Sequence, residues 1–90
     1  MQSFAEQMIG PLADYDRSHR SSLVQTIDAY FKHNGNVSQT AESLYIHRNT
    51  LLYRIERIKK LTGCDLDQED LRLALHLALK LWQLRPRESV

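Results

Sequence analysis

Apolar positions recur along this chain at helical spacing, so the pattern predicts helices. Phe4, Met8, Ile9 and Leu12 fall at near-helical intervals. Gly10-Pro11 then predicts a helix that ends before residue 10 or is interrupted there, because proline inside a helix costs roughly 3 kcal/mol. Tyr15 is expected to pack beneath the next helix. Leu23, Ile27, Tyr30 and Phe31 form one stripe, with Ser21 or Ser22 as N-cap and Gly35, after Asn34, as the left-handed stop. Asn36 starts a short helix over 37–44, with Gln39 placed to complete a capping box. Val37, Thr40, Ala41 and Leu44 make its inner side.

Tyr45-Ile46-His47 form a turn with Ile46 plugging the corner. Tyr45 requires either a left-handed residue or a longer turn. The next helix spans 48–61, buries Leu51, Ile55 and Ile58, and closes at Gly63. A last helix over 68–84 starts from Asp67 as N-cap with Asp70 at the third position, stapled by Leu66 and Leu71. It carries two apolar stripes. Leu71, Ala74, Leu75, Ala78, Leu79 and Trp82 form one, and Leu73, Leu77, Leu81 and Leu84 the other. Such a helix is buried centrally or meets another subunit; the expectation is a central scaffold with some exposed apolar area used in dimerisation. The fold class expected is therefore all-α, a compact bundle of four to five helices. Residues 1–20 form an N-terminal lead-in helix or linker, and 21–90 the domain proper.

Charge adds a direction to this pattern. Residues 1–46 sum to −2, 47–60 to +4 (Arg48, Arg54, Arg57, Lys59 and Lys60 against Glu56), and 61–90 to −1. The positive charge is gathered on one helix, as expected where phosphates are met, although a solvated basic face would look the same. With 42% apolar and 26% charged residues the chain reads as a globular domain, and 90 residues suffice for a core without metal or disulfide. Cys64 has no partner, no apolar run is long enough for a bilayer and no signal-peptide pattern opens the chain, so a cytoplasmic location is expected. His19, His33, His47 and His76 show no ligand spacing, and no nucleophile–base pair or phosphate loop appears. Neither a cofactor, a metal, a membrane nor an enzymatic activity is expected.

Two short helices joined by a tight turn, the second basic, make a helix-turn-helix, in which the N-terminal residues of the second helix reach base edges in the major groove. His47, Arg48 and Asn49 hold those positions. Arginine pairs bidentately with guanine and asparagine with adenine, although Asn49 could instead serve as a local cap. Asn36, Ser38, Thr50, Tyr53, Arg54 and Arg57 are expected to hold the DNA backbone, helped by free N–H groups at the first helix's start. Tyr53 could alternatively be core, and Arg57 could pair with Glu56 or a nearby aspartate.

From Ala29 to Trp82 the chain resembles the C-terminal helix-turn-helix domain of PucR/CdaR-type bacterial transcription regulators. The resemblance rests on Gly35-Asn36-Val37-Ser38, His47-Arg48-Asn49-Thr50-Leu51, Tyr53-Arg54-Ile55 and Ala74-Leu75-His76-Leu77-Ala78, with GPLADYD resembling the lead-in to that domain. It is similar, more distantly, to the DNA-binding half of the nucleoid protein Fis. There Arg48 takes the place of a base-reading arginine, and Thr50 and Asn36 those of phosphate-contacting groups. His47, Leu52 and Tyr45 depart from that pattern, standing for asparagine, arginine and glycine. The resemblance implies double-stranded DNA as partner, nucleoid association and an N-terminal sensor domain in a longer parent protein. Because one such unit contacts only a few base pairs, a homodimer on a two-fold site is expected, at least in the parent protein. The competing function is a protein-interaction or dimerisation module, with the leucine-rich last helix as its contact surface and no DNA target of its own.

Overall fold

A computed structural model describes residues 2–86; Met1 and residues 87–90, the end of the expected 21–90 segment, lie outside the described residues. The fold is all-α, with five helices among the described residues: α1 Phe4–His19, α2 Leu23–Lys32, α3 Val37–Ser43, α4 Arg48–Thr62 and α5 Glu69–Leu84. The radius of gyration of 12.9 Å is close to the ~12 Å expected of one globular body of this length, so the lead-in segment is part of the same body. Ile9 and Leu12 of α1 join Leu23, Ile27, Tyr30 and Phe31 of α2, Ile58 of α4, and Leu75, Ala78 and Leu79 of α5 in the main core. Cys64 and Leu66 close it from the α4–α5 connection.

Three local features differ from the sequence expectation. First, α1 runs through Gly10 and Pro11 without a break. A reciprocal Ser3–Glu6 capping box starts the helix, and the fully buried Ile9 and Leu12 flank the Gly10-Pro11 pair. The apolar burial of that face offsets the one backbone bond proline forgoes. Second, Ser22 occupies the N-cap of α2 but its side chain makes no cap bond. The Asp16 carboxylate takes that role from α1, accepting the Leu23 N–H at 2.7 Å, the Val24 N–H at 3.0 Å and the Ser21 hydroxyl. A charged acceptor at the positive end of α2 welds the two helices. Third, α5 starts from Gln68, with no side-chain cap bond, rather than from Asp67. Asp65 accepts the Asp67 N–H at 3.0 Å and Arg72 donates to the Leu66 carbonyl at 3.0 Å, so a turn and an arginine fix the chain as it enters a helix that has no side-chain cap.

The C-terminus of α2 is a Schellman motif. Asn34 is left-handed with φ 53°, its N–H bonds the Phe31 carbonyl, and the Gly35 N–H bonds the Tyr30 carbonyl. Gly35 follows at φ 78°, and a Cβ there would come within 3.2 Å of the Tyr30 hydroxyl, so backbone and space both select glycine. α5 lies along α1 and touches α2 through the stacked rings of Phe31 and His76, 4.2 Å apart, and a 2.9 Å bond from Gln83 to Asp28. It is not central: one stripe enters the core while Leu73, Leu77, Leu81 and Leu84 stay exposed, because α1 and α2 cover only one of its sides.

Candidate nucleic-acid interface

The α3–turn–α4 unit is built by a second Schellman motif. Leu44 is the C-cap of α3, the Tyr45 N–H bonds the Glu42 carbonyl and the Ile46 N–H bonds the Ala41 carbonyl, each at 3.1 Å. Tyr45 sits at the left-handed position with φ 56°, so of the two turns its presence allowed, the left-handed one is adopted. Its ring is 96% exposed. Ile46 is half-buried at the corner, while Thr40, Ala41 and Leu51 are buried where α3 meets α4.

Asn36 caps α3 by accepting the Gln39 N–H at 2.9 Å. The reciprocal half of the expected box is absent, because the Asn36 N–H turns back to the His33 carbonyl at 3.0 Å. His47 is the N-cap of α4: its Nδ1 accepts the Asn49 N–H at 2.9 Å, which leaves the Asn49 side chain without a capping duty. Arg48, Asn49 and Thr50, the first turn of α4, are all exposed, and Arg48 has no ion pair among the described residues. Ser38 is exposed in the first turn of α3. The helix opens with Arg48, Asn49 and Thr50 outward and then buries Leu51, so the polar first turn is held by an apolar anchor one residue behind it.

Further along α4 the basic residues separate into roles that spacing alone does not distinguish. Tyr53 is exposed rather than core, and Arg57 donates to its hydroxyl at 3.0 Å instead of pairing with a carboxylate. The Arg57 guanidinium also lies 5.7 Å from the Tyr15 ring centroid and 5.6 Å from that of Tyr53, and Tyr15 stacks on His19 at 4.0 Å. Arg57's hydrogen bond and charge hold the Tyr53 hydroxyl below its ordinary range, and the same bond raises Arg57. Tyr15 thus reaches α4 through Arg57 while packing, partly buried, against the main core. Arg54 turns inward and donates to the buried Thr26 hydroxyl at 3.1 Å, tying α4 to α2. Lys59 pairs with Asp65 at 3.5 Å, and Lys60 is exposed. Two contacts of α1, that of Tyr15 with Arg57 at this surface and that of Asp16 with the start of α2, were not assigned from sequence. Both residues sit on α1, and nothing in their spacing marks a contact with α4 or the start of α2.

A seven-residue helix, a Schellman turn and a basic second helix with a polar, solvent-facing first turn define a helix-turn-helix DNA-binding domain of the kind used in transcription regulation. Residues 23–81 match the PucR C-terminal helix-turn-helix domain, and the chain belongs to that family. It is 44% identical over 86% of its length to the carbohydrate diacid regulator of Escherichia coli (strain K12) and 34% identical over 81% to the DNA-binding transcriptional activator AdeR of Bacillus subtilis (strain 168). It is 32% identical over 93% of its length to the purine catabolism regulatory protein of B. subtilis (strain 168). The matches span 20%, 17% and 16% of those three relatives, so this chain corresponds to a small part of each.

Proposed function

We propose that this chain is the DNA-reading output domain of a longer cytoplasmic regulator acting on the nucleoid, with a sensor domain N-terminal to it and no catalytic activity. Duplex DNA is its partner, and two copies act on a two-fold site, since one such unit spans few base pairs. The observation that carries this reading is the first turn of α4, where Arg48 and Asn49 are exposed, Arg48 has no ion pair among the described residues, and the buried Leu51 follows Thr50. Arg48 and Asn49 are assigned to base edges, with His47 both capping α4 and presenting its remaining ring nitrogen beside them. Thr50, Tyr53 and Arg57, together with Asn36 and Ser38 at the start of α3, are assigned to phosphates. Arg54, occupied by Thr26, serves stability more than contact.

The test is selection of bound sequences from a random duplex pool at stated salt, followed by titration of the winning site. Binding is expected to weaken steeply with added salt, by a slope of roughly 0.9 per phosphate contact. Arg48→Ala is expected to cost about 1–3 kcal/mol on the selected site and to relax preference there. Equal affinity of the variant and the parent for selected and scrambled duplexes would remove Arg48 from the reading position. Failure of the pool to yield any salt-sensitive binder would favour the interaction-module reading, which the exposed leucines of α5 also support.

A further inference from the structure

α5 carries more apolar surface than its packing uses. Leu75, Ala78 and Leu79 are buried, yet Leu73, Leu77, Leu81 and Leu84 are exposed by 66%, 52%, 44% and 80%. At about 100° of turn per residue, these four and Asp70 fall within an arc of about 80° on the helix surface. A helix lying on a globule needs one apolar face, and a row of leucines on the other marks a contact surface. The row shares no residue with α3 or α4.

We propose that this face binds the same face of a second copy of the chain, with the two α5 helices antiparallel and centred on Leu77. A two-fold interface must be complementary to itself, and this register meets that demand. It sets Leu77 against Leu77 of the second copy and Leu73 against its Leu81. It also sets Asp70 against the turn bearing Leu84 and Arg85. Glu69 and Asp70 occupy the first turn of α5, while Arg85 follows its end with the guanidinium 3.7 Å over the Trp82 ring. Antiparallel pairing therefore brings the acidic first turn of each helix near the Arg85 that follows the other and opposes the two helix dipoles, whereas parallel pairing would bring Glu69 and Asp70 of the two copies together. The surface supplies the contact for the homodimer of the function proposed above and rests on that reading only for its consequence on two-fold sites.

The experiment is sedimentation equilibrium of the 90-residue chain without DNA, compared with Leu77→Asp, with circular dichroism to confirm that the variant stays helical. The parent chain is expected to be a concentration-dependent dimer. Leu77→Asp, which would bury a carboxylate at the two-fold, is expected to raise the dimer Kd by about a hundredfold or more. For the register, Leu73→Cys and Leu81→Cys chains mixed under oxidation are expected to cross-link to each other and not each to itself. The native thiol, Cys64, is buried. A parent chain that stays monomeric, a Leu77→Asp chain that dimerises equally, or self-linked Leu73→Cys would each overturn the proposal. A dimer that binds no duplex would instead count against the DNA reading and leave this surface standing.

Discussion

Tyr45 is the residue at which the helix-turn-helix departs furthest from ordinary backbone preference, and replacing it with glycine has a sign that can be worked out. The position is left-handed with φ 56°, and an L-residue there costs roughly 1–2 kcal/mol relative to ordinary backbone. Glycine removes that cost but frees the unfolded chain, returning about 0.5–1 kcal/mol. The side chain packs on nothing, being 96% exposed, so no burial is lost. The two turn bonds made by the Tyr45 and Ile46 N–H groups need only the backbone and survive. Tyr45→Gly is therefore expected to stabilise the domain by about 0.5–1 kcal/mol, or a rise of about 2–8 °C in Tm for a domain this small. Urea denaturation, fitted with a common m-value, reads the first quantity and a thermal scan the second. Any loss of stability would refute the reasoning, because it would mean that the ring or the tyrosine backbone contributes something the geometry does not contain. Measured on DNA in parallel, a drop in affinity alongside increased stability would identify the Tyr45 ring as a DNA contact that justifies its strain.

Other outcomes follow from named contacts. Asp16→Ala should destabilise by about 1–3 kcal/mol, since it removes a charged acceptor from two N–H groups, whereas Ser22→Ala should cost under about 0.5 kcal/mol; equal costs in denaturant titration would refute the assignment of the cap. Arg57→Gln should lower the salt slope of DNA binding by about one unit, while Arg54→Met should leave that slope unchanged and reduce stability by about 1 kcal/mol through loss of the Thr26 bond; an altered slope for Arg54→Met would return it to the phosphate-binding set. Burial pushes the Asp28 carboxyl up, but the Gln83 amide and the Lys32 ammonium outweigh it and hold it below its ordinary 3.8. Its folded pKa is thus depressed, so the contribution is present above pH 3.8 and is lost as pH falls through the lower folded value. The stability difference between the parent chain and Asp28→Asn should accordingly shrink on acidification below about pH 4, as followed by denaturation midpoints; a difference that grows would reverse the assignment.

Much of this architecture was legible from local chemistry. Leu23, Ile27, Tyr30 and Phe31 announce α2 because helical spacing alone brings them to one face, and all four are buried. Asn36, Gly63 and the residues around them mark helix ends because caps satisfy groups within a few positions of themselves. The outward first turn of α4 was legible for the same reason, since the buried Leu51 fixes where Arg48, Asn49 and Thr50 point. Helix ends moved by a residue or so, as ends do. The failures share a different cause. Pro11 lies inside α1, and the penalty that predicted a break there is offset by burial against elements far along the chain.

Which of the basic residues of α4 face solvent freely was settled by packing. Arg54 and Arg57 carry the same charge on the same helix, but α2 offers the first a buried hydroxyl and α1 offers the second an aromatic ring. Likewise both apolar stripes of α5 could be buried as far as sequence shows, and only the placement of α1 and α2 against one of them leaves the other bare. Periodicity and turn residues are short-range, so the sequence by itself determined an all-α bundle of four to five helices and a helix-turn-helix with a polar, outward first turn of α4. Partner choice between elements depends on which side chains meet across the fold. That is why the cap from Asp16, the contacts of Arg54 and Arg57, and the exposed face of α5 were decided only by the tertiary structure.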